Sequence, residues 1–230
     1  MTNEIIRKRK SIRKFDMTQL DTGALEHLQV QIAQIRPLYP DIRYSIDIVS
    51  KTKGMFGIKA PHYLVFGSED KDGAYENIGF IGQQMDLYLS ESGIGSCWLG
   101  LAKPMGKDVN GLPFVISMAF GKPAGVLYRD ISAFRRKSLP EISEGTDARV
   151  EAARLAPSGM NKQGWYFVAD NGKIHCYRKK LHPLGRRLGC IDMGIAICHI
   201  AVESSAFCFV KEANIAEKKG FVYTGTVGGS

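Results

Sequence analysis

The chain has 230 residues, 44% of them hydrophobic, and a net charge of +8. That composition supports an ordinary globular core, and no run of about 18 or more apolar residues is present to argue for a transmembrane helix. Charges interrupt the N-terminal MTNEIIRKRKSIRKF where a signal peptide needs its apolar stretch, so a soluble, cytoplasmic chain is expected. The five cysteines are an odd number and lie mostly in apolar segments, which suits thiols packed as small hydrophobes in a reducing compartment.

In chain order, Arg9-x-Ser11-x-Arg13 comes first. It sets anion-binding groups on alternate residues, all on one side if extended and bunched if helical, and either geometry can hold a phosphate. Thr22 is placed to cap a helix, and residues 42–49 read as a strand. Residues 74–91 carry Ile78, Ile81, Met85 and Leu89 at helical spacing. Ser92-Gly-Ile-Gly-Ser-Cys-Trp-Leu-Gly100 follows that helix rather than a strand and is not a dinucleotide-fold fingerprint. There Gly93 reads as a helix C′ residue, and Gly95 and Gly100 as places where backbone can approach a ligand. Cys97 has no evident base beside it and reads as a structural thiol. Residues 114–120 form a strand, and a linker is expected at 125–133.

The second half retraces the first. Arg136-Lys137-Ser138-Leu139 repeats Arg9-Lys10-Ser11-Ile12, Thr146 stands where Thr22 did, and Asp192-x-Gly194 matches Asn77-x-Gly79 within the helix predicted over 191–204. Cys208-Phe209 answers Cys97-Trp98, and strands are expected at 165–169, 173–177 and 221–227, the first two joined by an Asn171-Gly172 hairpin turn. Ala156-Pro-Ser-Gly-Met-Asn-Lys-Gln-Gly-Trp165 ends a short apolar helix. Its Ser158, Asn161 and Gln163 either face a planar polar ligand or satisfy the local backbone. No CxxC, HExxH, P-loop or GxSxG is present, so no metal, kinase or hydrolase chemistry is expected. The positive charge lacks any nucleic-acid motif around it, and neither nucleic acid nor a membrane is expected as partner.

Together these motifs resemble the FMN-dependent nitroreductase family, whose members commonly carry R-x-S-x-R, G-x-G-x-C-W-x-G and A-P-S-x-x-N-x-Q-P-W. Two departures stand out: Gly164 replaces the usual proline, and the A-P-S-x-x-N-x-Q string follows the C-W turn instead of preceding it. A fused pseudo-dimer accounts for that order, because typical members are homodimers that build each flavin site from both subunits. The resemblance implies an α+β nitroreductase-like fold with two tandem halves, 1–130 and 131–230, packed as one unit that need not dimerise further. It implies one FMN, with Arg9, Lys10, Ser11, Arg136 and Lys137 toward the phosphate and Arg13 toward the N1/O2 edge. Backbone N–H groups near Leu99 and Gly100 would face its N5 and O4, Ser158 and Asn161 would hydrogen-bond its pyrimidine edge, and Trp98, Pro157 and Gln163 would also belong to the site. The mirror site, where Ile35-Arg36-Pro37-Leu38-Tyr39-Pro40 stands, is expected to have decayed. The implied activity takes hydride from NAD(P)H and reduces a nitroaromatic, quinone or similar small acceptor, with no side chain required as acid or base. A flavin-binding sensor or carrier with little turnover fits the same motifs.

Overall fold

The computed structural model describes residues 3–54 and 58–229. In chain order it builds α1 (Glu4–Lys8), α2 (Thr22–Ala33), β1 (Tyr44–Val49), β2 (His62–Ser68), α3 (Ala74–Glu91), β3 (Gly95–Leu99), β4 (Asp108–Val109) and β5 (Leu112–Gly121). After a long connection come α4 (Leu139–Ile142), β6 (Ser143–Glu144), α5 (Arg149–Leu155), β7 (Trp165–Asp170), β8 (Lys173–Lys179), α6 (Pro183–Glu203), β9 (Cys208–Val210) and β10 (Phe221–Gly228). The first group makes a sheet of order β1-β2-β5-β3 with β4 against β5; the second makes β6-β7-β8-β10-β9. All pairings are antiparallel except β6 with β7.

Each sheet supports one long helix, and α3 and α6 pack on each other to join the halves into one continuous core running from Leu64 and Phe66 to Trp165 and Phe167. The matched glycines explain how closely they approach. A Cβ on Gly79 would lie 2.1 Å from the carbonyl oxygen of Ile191, and one on Gly194 would lie 1.9 Å from that of Glu76. Only hydrogen fits at either crossing, so the repeat seen in the sequence is a reciprocal contact between two helix backbones.

In the first sheet β2 lies between β1 and β5 and is covered on both faces, so it is buried at every position, while the edge strand β1 is half-buried throughout. Leu64 and Phe66 join the main core, while Tyr63 meets a smaller cluster with Ile12, Phe15, Leu99 and Ala119. Period-two alternation therefore turns Leu99 into that cluster and leaves its neighbour Trp98 on the opposite face.

Four details depart from the sequence reading. Asp21, not Thr22, caps α2 by accepting from the Ala24 N–H at 2.8 Å. Asp147, not Thr146, accepts from the Arg149 N–H at 2.9 Å at the start of α5. In both places the carboxylate is the better placed acceptor for a first-turn donor. Helix α6 begins eight residues upstream of position 191, at Pro183, because proline suits a first helical position even where the polar stretch behind it shows no apolar period. Gly95 packs against Ile12, with its missing Cβ 2.7 Å from that side chain, so its smallness serves the core rather than a ligand. The Asn171-Gly172 hairpin turn is present, with φ of 48° and 74° as a type I′ turn requires.

Candidate functional site

The segment after α1 is extended, and isolated bridges pin it at the start and middle of its motif: Arg9 to Tyr128 and Ser11 to Ser96. The extended form puts Arg9, Ser11 and Arg13 on one hollow of about 600 Å³, which Lys10 also lines. The connection between the halves is laid against this segment. Arg129 N–H donates to the Lys8 carbonyl at 2.9 Å and its Nε to the Arg9 carbonyl at 3.0 Å, so the linker delivers Arg129, Arg135 and Arg136 to the same hollow. Pro157, Ser158 and Asn161 close it from the second half.

Such a crowd of guanidinium groups is electrostatically costly. Burial and then the charges of Arg129, Arg9 and Arg154 lower Arg136 to about 9, and burial with Arg9 and Arg13 lowers Arg129 to about 10. Arg9 is almost wholly buried, at 1% exposure, with Nε 2.9 Å from Asp86 Oδ2. Its Nη1 is buried and has no hydrogen-bond partner among the described residues. A buried guanidinium donor left free on the wall of a cationic hollow is what an anion would satisfy.

Beneath Arg9 a chain of buried side chains links α3, β3 and α6. Asp86 accepts from Ser96 Oγ and from Gln83 Nε2, the latter at 2.8 Å. Gln83 Oε1 accepts from Trp98 Nε1 at 3.2 Å, and Gln83 Nε2 lies 3.0 Å from His199 Nε2. His199 Nδ1 donates to the Ala152 carbonyl at 2.9 Å, which makes Nε2 the acceptor and the ring neutral. Full burial pushes His199 down to about 3. Its folded value lies below the ordinary one, so between about pH 6.5 and 3 only the unfolded chain takes up this proton, and the stability His199 contributes above that window is lost as pH falls through it. The expected observation is an imidazole resonance for His199 that stays constant from pH 8 to 5; a shift with a midpoint near 6.5 would mean the network is open to water.

A second, more apolar hollow of about 380 Å³ adjoins the first through Ser11, Arg13, Pro157, Ser158 and Met160. Trp98 and Gly100 line it from the first half, and Ile191, Asp192 and Ile195 from α6. Its floor depends on a loop in which Met160, Asn161 and Gln163 all hold positive φ, at 51°, 56° and 48°. Left-handed backbone at three non-glycine positions persists only where contacts over-determine it. Here the Gly159 N–H donates to Asp192 Oδ1 at 2.9 Å, the Gln163 N–H to Ser158 Oγ at 2.9 Å, and Arg136 Nη1 to Asn161 Oδ1 at 2.7 Å. Burial pushes Asp192 up to about 7.

The anticipated residues thus fall into two groups. Arg9, Lys10, Ser11, Arg13, Arg136, Pro157, Ser158 and Asn161 meet around the cationic hollow, and Trp98 and Gly100 around its apolar extension. Leu99 is turned into the core of the first half. Gln163 is buried; its Oε1 accepts from the Lys137 N–H at 2.8 Å and its carbonyl accepts from Lys137 Nζ at 3.1 Å, so these two residues hold each other and the loop. Ser138, the counterpart of Ser11, is bound to Glu141 in a capping box. Arg129, Arg135, Met160 and Asp192 escaped the motif reading. The linker's three arginines against one acid, Asp130, were the available signal for two of them, and the Asp192-x-Gly194 repeat for another.

A similar contact ties the other long helix to its loop. Asn77 Oδ1 accepts from the Leu38 and Tyr39 N–H groups at 2.8 and 3.0 Å, as Asp192 does from Gly159. Beside it the rings of Tyr39 and Phe209 meet edge to face at 5.7 Å.

Among the described residues no group of three or more His, Cys, Asp or Glu is placed to hold a metal, and no helix is long and apolar enough to cross a membrane. Comparison with solved structures finds a Thermotoga maritima protein described as a putative nitroreductase, 20% identical, with a TM-score of 0.69 over 99% of this chain and 92% of that one. An FMN-dependent nitroreductase of Clostridium difficile is 17% identical, covering 57% of this chain and 93% of its own, with a TM-score of 0.44. A Bacteroides thetaiotaomicron protein described as a putative NADH dehydrogenase/NAD(P)H nitroreductase is 15% identical, covering 63% and 96%, with a TM-score of 0.49. Among curated protein sequences none matches. The family model described as "Putative TM nitroreductase" matches residues 1–204, and the chain belongs to that nitroreductase family.

Proposed function

We propose that the chain binds one FMN in a site drawn from both halves, divided near residue 130, and acts as an NAD(P)H-dependent oxidoreductase toward small acceptors such as nitroaromatics or quinones. The observation that carries this reading is the cationic hollow opening directly into an apolar slot: Arg129, Arg135 and Arg136 beside Arg9 and its free buried Nη1 donor on one side, Trp98, Ile191 and Ile195 on the other. A phosphate dianion offsets the burial and the mutual repulsion that hold Arg129 and Arg136 low, and a flat heteroaromatic fits the slot. FMN supplies two-electron hydride chemistry when bound. The chain's own contribution is to hold the phosphate with Arg9, Ser11 and the linker arginines. It also sets Arg13 beside the slot as a fixed positive charge and keeps the loop at 157–161 in place through Asp192.

Purified protein is expected to bind FMN at one per chain, read from its visible absorbance. Arg135→Ala, which removes an exposed guanidinium from the hollow without touching the Arg9–Asp86 pair, should weaken FMN by about 1–2 kcal/mol and leave riboflavin nearly unchanged. Equal losses for the two flavins would remove the phosphate assignment, and two flavins per chain would remove the asymmetric site.

A further inference from the structure

Among the described residues lining the apolar slot, Asp192 is the one acid, and only Arg13 and Cys97 share with it an ionisable side chain. An arginine gives up no proton at ordinary pH, and burial raises the Cys97 thiol above its usual value. Asp192 keeps part of its surface open, and it accepts from the Gly159 N–H at 2.9 Å. Holding a loop does not call for an acid. At the matching place in α3, Asn77 does so with a side-chain amide, its Oδ1 accepting from the Leu38 and Tyr39 N–H groups. A carboxyl on the slot wall, where an amide suffices for the loop, has a proton to offer besides.

The groups around this carboxyl come from three other elements. Lys162 in the loop and Arg13 in the segment after α1 are positive, Cys97 stands on β3, and α6 itself otherwise presents Leu188, Ile191 and Ile195 to the slot. Burial outweighs the Gly159 N–H and Lys162 and holds Asp192 up at about 7. A negative charge entering the slot raises it further, because a like charge disfavours the ionised form.

Resting on the flavin reading above, we infer that Asp192 takes up a proton when the bound flavin is reduced and gives it back when an acceptor is reduced. Hydride from a reduced nicotinamide carries two electrons and one proton into the slot and adds one negative charge there. The second proton comes from water to the Asp192 carboxylate, which returns the slot to its starting charge. When a quinone then takes the hydride, the hydroquinone anion it becomes receives the Asp192 proton. An O–H bond breaks on the acid, one forms on the product, and the carboxylate is left for the next cycle.

The midpoint potential of the bound flavin, followed by spectroelectrochemistry across neutral pH, reads this uptake without turnover. For a two-electron couple each accompanying proton contributes about 30 mV per pH unit. The expected slope is about 30 mV per pH unit below pH 7, where Asp192 is protonated in both states, steepening toward about 60 mV above it, where only reduction protonates the acid. Asp192→Asn keeps an acceptor for the Gly159 N–H, and should bind FMN yet follow about 30 mV per pH unit throughout. A wild-type slope that never steepens overturns the inference, as does a steepening that survives the substitution. So does a slope steeper on the acid side, which is what a proton taken by the ring itself gives. Should the variant not fold, the reduced-minus-oxidised infrared spectrum of the wild type at pH 8 decides: a protonated-carboxyl band gained on reduction supports the uptake, and its absence overturns it. Failure of the wild-type chain to bind FMN at all instead overturns the flavin reading on which the inference rests.

Discussion

Alanine at position 86 is expected to lower stability by about 3–5 kcal/mol and to abolish tight FMN binding, because it strips the counter-charge from a buried arginine. Asp86 is fully buried and meets Arg9 Nε, Ser96 Oγ and Gln83 Nε2 together. Arg9 is itself 1% exposed, so without Asp86 its charge has no solvent to return to and no acid to face. Urea unfolding of the flavin-free protein measures the first effect, and FMN titration of whatever folds measures the second. Asp86→Asn keeps the volume and some of the hydrogen bonds but not the charge, and should fall between wild type and alanine. An unchanged unfolding midpoint in both variants would mean that Arg9 is compensated by other groups and that the network beneath it is incidental.

Adding a methyl group at either helix crossing should be nearly as damaging. Gly194→Ala places a Cβ where the structure leaves 1.9 Å to the Glu76 carbonyl, and Gly79→Ala one where it leaves 2.1 Å to that of Ile191. Backbone cannot step aside as a flexible side chain does, so α3 and α6 must move apart along the contact that joins the two halves. A loss at or above the usual 1–3 kcal/mol of over-packing is expected, and valine should be worse than alanine at both positions. Thermal unfolding of the two single variants should give similar shifts, since each glycine meets the other helix's backbone at about the same distance. A large effect at one glycine and none at the other would argue that the helices do not cross symmetrically.

These expectations depend differently on sequence and on structure. The long helix Ala74–Glu91 was legible to its ends, since its apolar spacing is strong and Gly93, with φ of 79°, terminates it as a C′ glycine should. The strands around Asn171-Gly172 were legible for the same kind of reason, a local turn chemistry with few alternatives. Helix α6 was recognised only over its buried part, because periodicity marks a face and its first turns, Pro183 to Arg187, show none. The cap residues were misplaced, by one position at α2, where Asp21 caps, and by two at α5, where Ala148 is the cap and Asp147 accepts from the Arg149 N–H.

At the site, residue type and spacing pointed to Arg9, Ser11, Arg13 and the Pro157-to-Asn161 loop as one group, and these residues line one hollow in the folded chain. Which atoms face the ligand groove was decided by packing. Strand alternation sent Leu99 into the core and kept Trp98 at the slot; a buried carboxylate on α3 claimed one side of Arg9; Lys137 and Gln163 were spent on each other. Arg129 and Asp192 entered the site from a linker and from the middle of a helix, positions whose own sequence neighbours carry no binding motif. Local patterns encode which elements form because they act over a few residues. The composition of the groove arises from contacts between residues more than a hundred positions apart, such as Arg9 with Arg129, and only the folded chain brings those together.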